Sequence, residues 1–276
     1  METIHMSADT TTIGVEEMIA AESSVAVPKP KSRARRFGRG LFRVIIGVFV
    51  LYCAARLLWR YSGSNQWELV AERGGAKVYS LKQPGSDLAL VRGNVRVKSS
   101  LAGLVAWLRD PAVCKDSGCY ANTVERIDDQ LEYDYFRFNM RSPFKPRDFM
   151  VRAHFHQIPS TKEIWAEYGA VPDRVPANDC CHRVTNMNTT WRFTPLGNGM
   201  VEAEYTMNMD WGGYIPDLLS NYAKPRFLLG QLRKFQGVLD KPKYQTAKFD
   251  FIQEYAGTPA VAANTAVPAA AAPNAQ

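Results

Sequence analysis

The sequence predicts an α+β domain, an antiparallel sheet followed by one long C-terminal helix. Three observations lead there. Strand-like runs succeed one another at 123–127, 131–140, 150–158, 163–171, 182–194 and 200–210, with one short helix before them. Gly197-Asn198-Gly199 marks a hairpin turn between the last two. Beyond Pro216, Leu218, Leu219, Tyr222, Leu229, Leu232 and Phe235 recur at helical spacing, while Lys224, Arg226, Arg233 and Lys234 lie mostly off that stripe. Strands gathered in succession and closed by a helix argue for an antiparallel sheet.

The elements follow in order. Trp67 begins an amphipathic lead-in, and 76–80 and 89–98 read as strands. In the second, Val91, Val95 and Val97 share a face with Gly93, and Arg92, Asn94, Arg96 and Lys98 alternate on the other. Ser99 is the expected cap of a helix with Leu101, Leu104, Val105 and Leu108 on one stripe, ended by Asp110-Pro111. The last strand leaves through Trp211-Gly212-Gly213-Tyr214, where the glycines open backbone conformations closed to other residues. Pro216 suits the first helical turn, and Pro225 is expected to kink the helix.

The ends are poor in core formers. Residues 1–28 carry five acids and no Lys or Arg, and 256–276 are almost entirely Ala, Pro, Thr, Val, Asn and Gly. Both compositions predict disorder, in the first case through the basic run to residue 40. The net charge of +7 is unevenly spread. Residues 29–60 hold +9 and residues 1–28 hold −5, which leaves +3 for 61–276. The folded part is nearly balanced, so a broad nucleic-acid surface is not implied.

The basic run flanks an apolar segment, 41–59, with an uninterrupted centre at 44–55. Nineteen residues rise roughly 28 Å as a helix, close to the ~30 Å hydrocarbon core. Arg43 and Arg56 can snorkel to opposite interfaces, and Trp59 and Tyr61 lie where aromatic belts form. Seven basic residues precede the centre and two follow it, so the expected topology is an uncleaved signal anchor at 41–60, N-terminus cytoplasmic, with the following domain exported to the periplasmic side in a bacterium. An amphipathic helix lying on the membrane is the alternative.

Two motifs carry a family resemblance. Ser142-Pro143-Phe144-Lys145-Pro146-Arg147-Asp148-Phe149 links two strands, and Asp210, Gly212, Gly213, Ile215 and Pro216 stand before the last helix. Together, over roughly 66–240, they resemble the START (StAR-related lipid-transfer) domains. The resemblance implies a helix-grip fold, with the curved antiparallel sheet wrapped around the C-terminal helix and an internal hydrophobic tunnel for one lipid, sterol-like or phospholipid. It implies no enzyme activity and no cofactor, with a lipid, a membrane and a lipid-accepting protein as partners. A helix-grip enzyme of the polyketide cyclase type and a lipid sensor that does not transfer are the other readings.

The expected tunnel lining is Tyr133, Tyr135, Trp165, Trp191, Tyr205, Met207, Met209, Leu218, Tyr222, Leu229 and Leu232, chosen as aromatic and methionine faces of strands and the stripe of the last helix. Trp211, Gly212, Gly213 and Tyr214 are the expected gate. Arg147, Asp148 and Phe149 read as a structural motif rather than as chemistry. Asp134, Arg137, Arg152 and His154 are the candidates for a charged group inside the tunnel that would meet a sterol hydroxyl, with the outer face the favoured placement for each. Cys114 and Cys119 flank a short polar loop and are a candidate disulfide, with Cys180 or Cys181 as alternative partners. A zinc site from Cys114, Cys119, Cys180 and His182 matches no common spacing, and no metal is expected. His154 and His156, two apart on a strand, can ligate a metal only if their face is open.

Overall fold

A computed structural model describes residues 33–116 and 119–255. The segments 1–32 and 256–276, expected to be disordered, lie outside the described residues. The chain divides into two compact units between Cys53 and Ala54.

Helix α1, Arg33–Tyr61, is 29 residues long and runs across that division. Its stretch Phe37–Tyr61 has a mean hydropathy of 2.1 over its apolar window and is long enough to cross a membrane. The helix takes in 33–40, which composition had assigned to the disordered segment. Arginine is a good helix former, and extending an existing helix fixes one residue per added bond. Its last two turns belong to the second unit. There Arg56 and Arg60 reach Asp87 at 3.2 and 3.3 Å, Arg56 also meets Asp217 at 3.1 Å, and the Trp59 indole N–H donates to the Asp87 carbonyl.

Among the described residues the second unit is one ten-stranded sheet with helices packed against it. The strands are β1 Trp67–Arg73, β2 Ala76–Leu81, β3 Leu90–Lys98, β4 Cys119–Arg126, β5 Leu131–Phe138, β6 Arg147–Gln157, β7 Ile164–Ala170, β8 His182–Arg183, β9 Met187–Gly197 and β10 Met200–Met209. Their order across the sheet is β1-β2-β3-β10-β9-β7-β6-β5-β4. Every pairing on this path is antiparallel, and β8 alone pairs in parallel, with the start of β6. This is the curved sheet of a helix-grip fold. The run 182–194, read as one strand, is two. Residues 182 and 183 lie beside Arg147 and Asp148, and the chain then crosses to pair with β7 and β10.

Helix α2, Leu101–Leu108, is capped by Ser100, not Ser99, whose hydroxyl accepts from the Gly103 N–H at 3.0 Å. The Glu254 carboxylate accepts from the Leu101 and Ala102 N–H groups at 2.9 and 2.8 Å, so a negative charge from far along the chain satisfies two free donors at the positive helix end. Pro111 starts a short helix α3, Pro111–Asp116, rather than only closing α2. The fold also continues past 240. Helix α5, Pro242–Gln245, buries Tyr244, whose hydroxyl donates to Asp110 at 2.6 Å.

Helix α4, Asp217–Leu239, packs on β3, β2 and β1 and stays helical through Pro225. Its buried face is Ser220, Lys224, Leu228, Leu232, Phe235 and Leu239, with Pro225 beside it. Of the predicted stripe Leu232 and Phe235 are buried, Leu218 and Leu229 are half-buried, and Leu219 and Tyr222 are exposed. Steps of four lead back from Leu228 to Lys224 and Ser220, so the buried face carries polar residues in its first two turns. At Gly93 on β3 a Cβ would stand 2.6 Å from Leu232 Cδ1, so the missing side chain lets the helix lie directly on the strand.

Candidate ligand cavity and its gate

Strand alternation decides which side chains face inward. On β10 these are Tyr205, Met207 and Met209, on β9 Met187, Thr189 and Trp191, and on β5 Asp134, Phe136 and Phe138. With Phe149, Tyr168, Trp107, Leu108 and Trp211 they surround a cavity of about 260 Å³, closed on the helix side by Phe227 and Gln231 of α4 and at one end by Val113, Cys114, Cys119, Ala121 and Asn122. The walls are mostly apolar with a few placed polar groups, the usual make-up of a small-molecule site.

Of the expected lining, Trp191, Tyr205, Met207 and Met209 surround this cavity, as does Trp211 of the expected gate. The others do not. Tyr133 and Tyr135 sit on the opposite parity of β5. The Arg174 guanidinium lies 3.5 Å over the Tyr133 ring, and Tyr135 donates to Asp148. Trp165 is on the outer face of β7, stacked with His156. Leu218 and Tyr222 fall outside the lining, Leu229 is partly buried against the core, and Leu232 is packed on Gly93. The aromatic content of β5 does not mark its inner face, because the strand carries tyrosines on one face and phenylalanines on the other.

Asp134 is the main correction among the charged groups. It is 8% exposed and faces the cavity rather than the outside. The alternation Asp134, Phe136, Phe138 carried that signal. Tyr168 stands near it. Burial first, then the charges of Asp134 and Glu132, hold the Tyr168 hydroxyl well above its ordinary pKa. Tyr205 is pushed up to about 12 by burial, against a hydrogen bond with Thr189. Arg109 and Asp110 at the wall are held by neighbouring groups. Arg109 pairs with buried Glu132 at 3.4 Å and lies 4.5 Å from the Phe155 ring centre, and Asp110 accepts from Tyr244 and Lys243.

The two sequence motifs meet at one end of the cavity. Arg147, 2% exposed, donates from Nε to the Trp211 carbonyl at 2.8 Å, from Nη2 to the Gly212 carbonyl at 2.9 Å and from Nη1 to the Lys145 carbonyl. Gly212 and Gly213 follow each other with φ of +60° and +65°, and the Asp210 carboxylate accepts from the Gly212 N–H at 2.8 Å. A Cβ on Gly212 would lie 2.5 Å from His182 Nε2. The turn therefore requires glycine both for its backbone and for the close approach of β8. The Trp211 ring meets Phe138 and Phe149 edge-on, while Tyr214 is 97% exposed. Asp148 points to the other face of β6. It is fully buried under the 172–183 crossover and accepts from Arg183 at 2.8 and 3.0 Å. Arg147 thus ties down the 211–213 turn and Asp148 the crossover.

Cys114 and Cys119 form a disulfide at the cavity end, and Cys180 and Cys181 form one with each other. These pairings remove three of the four ligands weighed for a zinc site with His182.

No protein-family model matches the chain. An uncharacterised protein of Pseudomonas aeruginosa is 25% identical over 186 residues, spanning 66% of this chain and 89% of that protein. A crystal structure described as a STAR-related lipid transfer protein from Xanthomonas axonopodis superposes with a TM-score of 0.59 at 25% identity, covering 63% of this chain and 99% of that one. Human STARD10 gives 0.59 at 15% identity over 80% and 84% of the two chains. Human StAR-related lipid transfer protein 5 gives 0.54 at 18% identity over 72% and 99%. By its sheet order and these likenesses, the folded part of the chain has the helix-grip fold of the START domains it resembles.

Proposed function

We propose that this chain binds a single hydrophobic lipid in the cavity under α4 and transfers or presents it at a membrane. The observation that carries the reading is the cavity itself, walled by Trp191, Met207, Met209, Phe136 and Phe149 and bearing Asp134 and Thr189 as polar points. The lipid-transfer descriptions of the similar bacterial and human structures support it. A volume of about 260 Å³ lies just below the usual range for small-molecule pockets. It suits a compact lipid with its polar group near Asp134, whereas the larger skeleton of a sterol-like alcohol needs the walls to yield. A two-chain phospholipid requires α4 or the gate loop to move outward. The wall arginine and Asp110 are held in ion pairs, which favours a carrier over a cyclase-type enzyme.

In this reading α1 is a single-pass anchor with its N-terminus cytoplasmic and the START-type domain on the exported side. The domain then exchanges lipid with its own bilayer or hands it to a soluble acceptor. The test is mass spectrometry of the organic extract from purified residues 54–255, the second compact unit up to the last described residue. One dominant lipid near one-to-one is expected. A well-folded, empty protein would reject the carrier reading and favour an enzyme with a soluble polar substrate.

A further inference from the structure

On the outer face of the sheet, behind the cavity wall, three metal-ligating side chains stand together. His154 and His156 are two apart on β6 and point outward, since Ala153 and Phe155 between and beside them are fully buried. Glu167 on β7 is the direct cross-strand partner of His154, and its carboxylate oxygen is 3.7 Å from His154 Nδ1. One ligand atom from each of the three lies within 4.8 Å of the other two. The face is open, with the His154 and Glu167 side chains 41% and 50% exposed.

Two further features separate this cluster from an ordinary solvated patch. The His156 ring is held in place, nearly parallel to the Trp165 ring at 10° and stacked on the His154 ring 5.5 Å away. Its Nδ1 is buried and has no hydrogen-bond partner among the described residues. An imidazole nitrogen withdrawn from water and left without a partner is costly, and a bound cation is one way to satisfy it.

We propose that His154, His156 and Glu167 form a site for a divalent transition-metal ion, best suited to zinc. Two imidazoles and one carboxylate, completed by water, are a common zinc ligand set. Tetrahedral ligands at about 2.0–2.2 Å from the ion lie about 3.3–3.6 Å from one another. The His154–Glu167 pair, at 3.7 Å, is just outside that spacing, and a pair at the 4.8 Å limit closes by about 1.2–1.5 Å through rotation of side chains on an otherwise rigid pair of strands. The ion bridges β6 and β7 immediately outside Ala166 and Tyr168, so it staples the wall of the cavity without entering it.

The experiment is calorimetric titration of ZnCl₂ into the full-length, tag-free chain in detergent after EDTA dialysis, alongside thermal melting with and without zinc. The wild type is expected to bind one equivalent and to melt higher with zinc, because an ion that binds only the folded state stabilises it. Glu167→Gln is expected to weaken binding about tenfold or more, and the double variant H154A/H156A to lose both the binding and the melting shift. The single variant His154→Ala, at a half-exposed position, serves if the double variant melts lower without metal. Undiminished zinc binding by the histidine variants overturns the proposal, as does a wild type that takes up no zinc at about 100 µM.

Discussion

Lys224 offers the sharpest test of the helix–sheet contact. It is 2% exposed on the buried face of α4, and its ammonium donates to the Met209 carbonyl at the end of β10. Burial lowers its pKa from 10.5 to about 8, against the charges of Asp210 and Asp217, which raise it. The folded form therefore holds this proton less tightly than the unfolded chain. Below pH 8 both forms carry it and the folded state bears the full penalty. Between pH 8 and 10.5 the folded form releases it first, so the unfolded state binds more protons and stability rises with pH. At about 1.4 kcal/mol per pH unit the gain is about 3 kcal/mol. The perturbation is Lys224→Met, which removes the titration and, at every pH, the bond to Met209. The assay is denaturant unfolding of both full-length chains in detergent from pH 7.5 to 10.5. The wild-type stability minus that of Lys224→Met should rise by about 3 kcal/mol across this range, or about 6–12 °C in melting temperature. Tyr168 and Tyr205, whose raised values remove stability above pH 10, are common to both chains and cancel in the difference. A difference that stays level within about 1 kcal/mol would refute the assignment of Lys224 as a buried, charge-bearing contact.

Asp148→Ala leaves the Arg183 guanidinium buried without its carboxylate and should cost about 3–5 kcal/mol, most of it recovered when Arg183 is also replaced by Leu; urea unfolding of the four chains measures the coupling. Gly93→Val drives a side chain into Leu228 and Leu232 and should lose about 1–3 kcal/mol, read as a lower melting temperature by circular dichroism. Trp211→Ala removes the ring that meets Phe138 and Phe149 at the cavity end. It should speed exchange of a fluorescent sterol between vesicles and protein by about tenfold if the loop is the gate, and leave it unchanged if it is not. An engineered disulfide tying the start of α4 to the sheet should abolish the same exchange until reductant is added.

Much of the architecture was written in local pattern. The hairpin at Gly197-Asn198-Gly199, the valine alternation of β3 and the long last helix depend only on neighbouring residues, and each is found where the pattern put it. The two motifs were likewise legible as local peculiarities of composition. Their joint purpose was not. That Arg147 holds the carbonyls of Trp211 and Gly212, 64 and 65 residues away, is a long-range contact with no trace in either stretch alone.

The cavity was half legible for a related reason. Alternation separates the two faces of a strand but does not say which face is inside. On β10 the methionines mark the face that lines the cavity, whereas on β5 tyrosines and phenylalanines occupy opposite faces and composition does not distinguish them. In the first turns of α4 large apolar residues suggest one face, and the fold buries another, because Ser220 and Lys224 lie on the line through Leu228 and Leu232 and the Lys224 ammonium finds the Met209 carbonyl at a strand end. Sequence alone determined the element types, the motif-bearing turns and the presence of an apolar N-terminal helix, all set by propensity, spacing and hydropathy over short stretches. Only tertiary structure decided which faces enclose the cavity, that Asp134 lies inside it and that residues 241–255 complete the domain, since burial and hydrogen-bond satisfaction depend on partners brought together from distant parts of the chain.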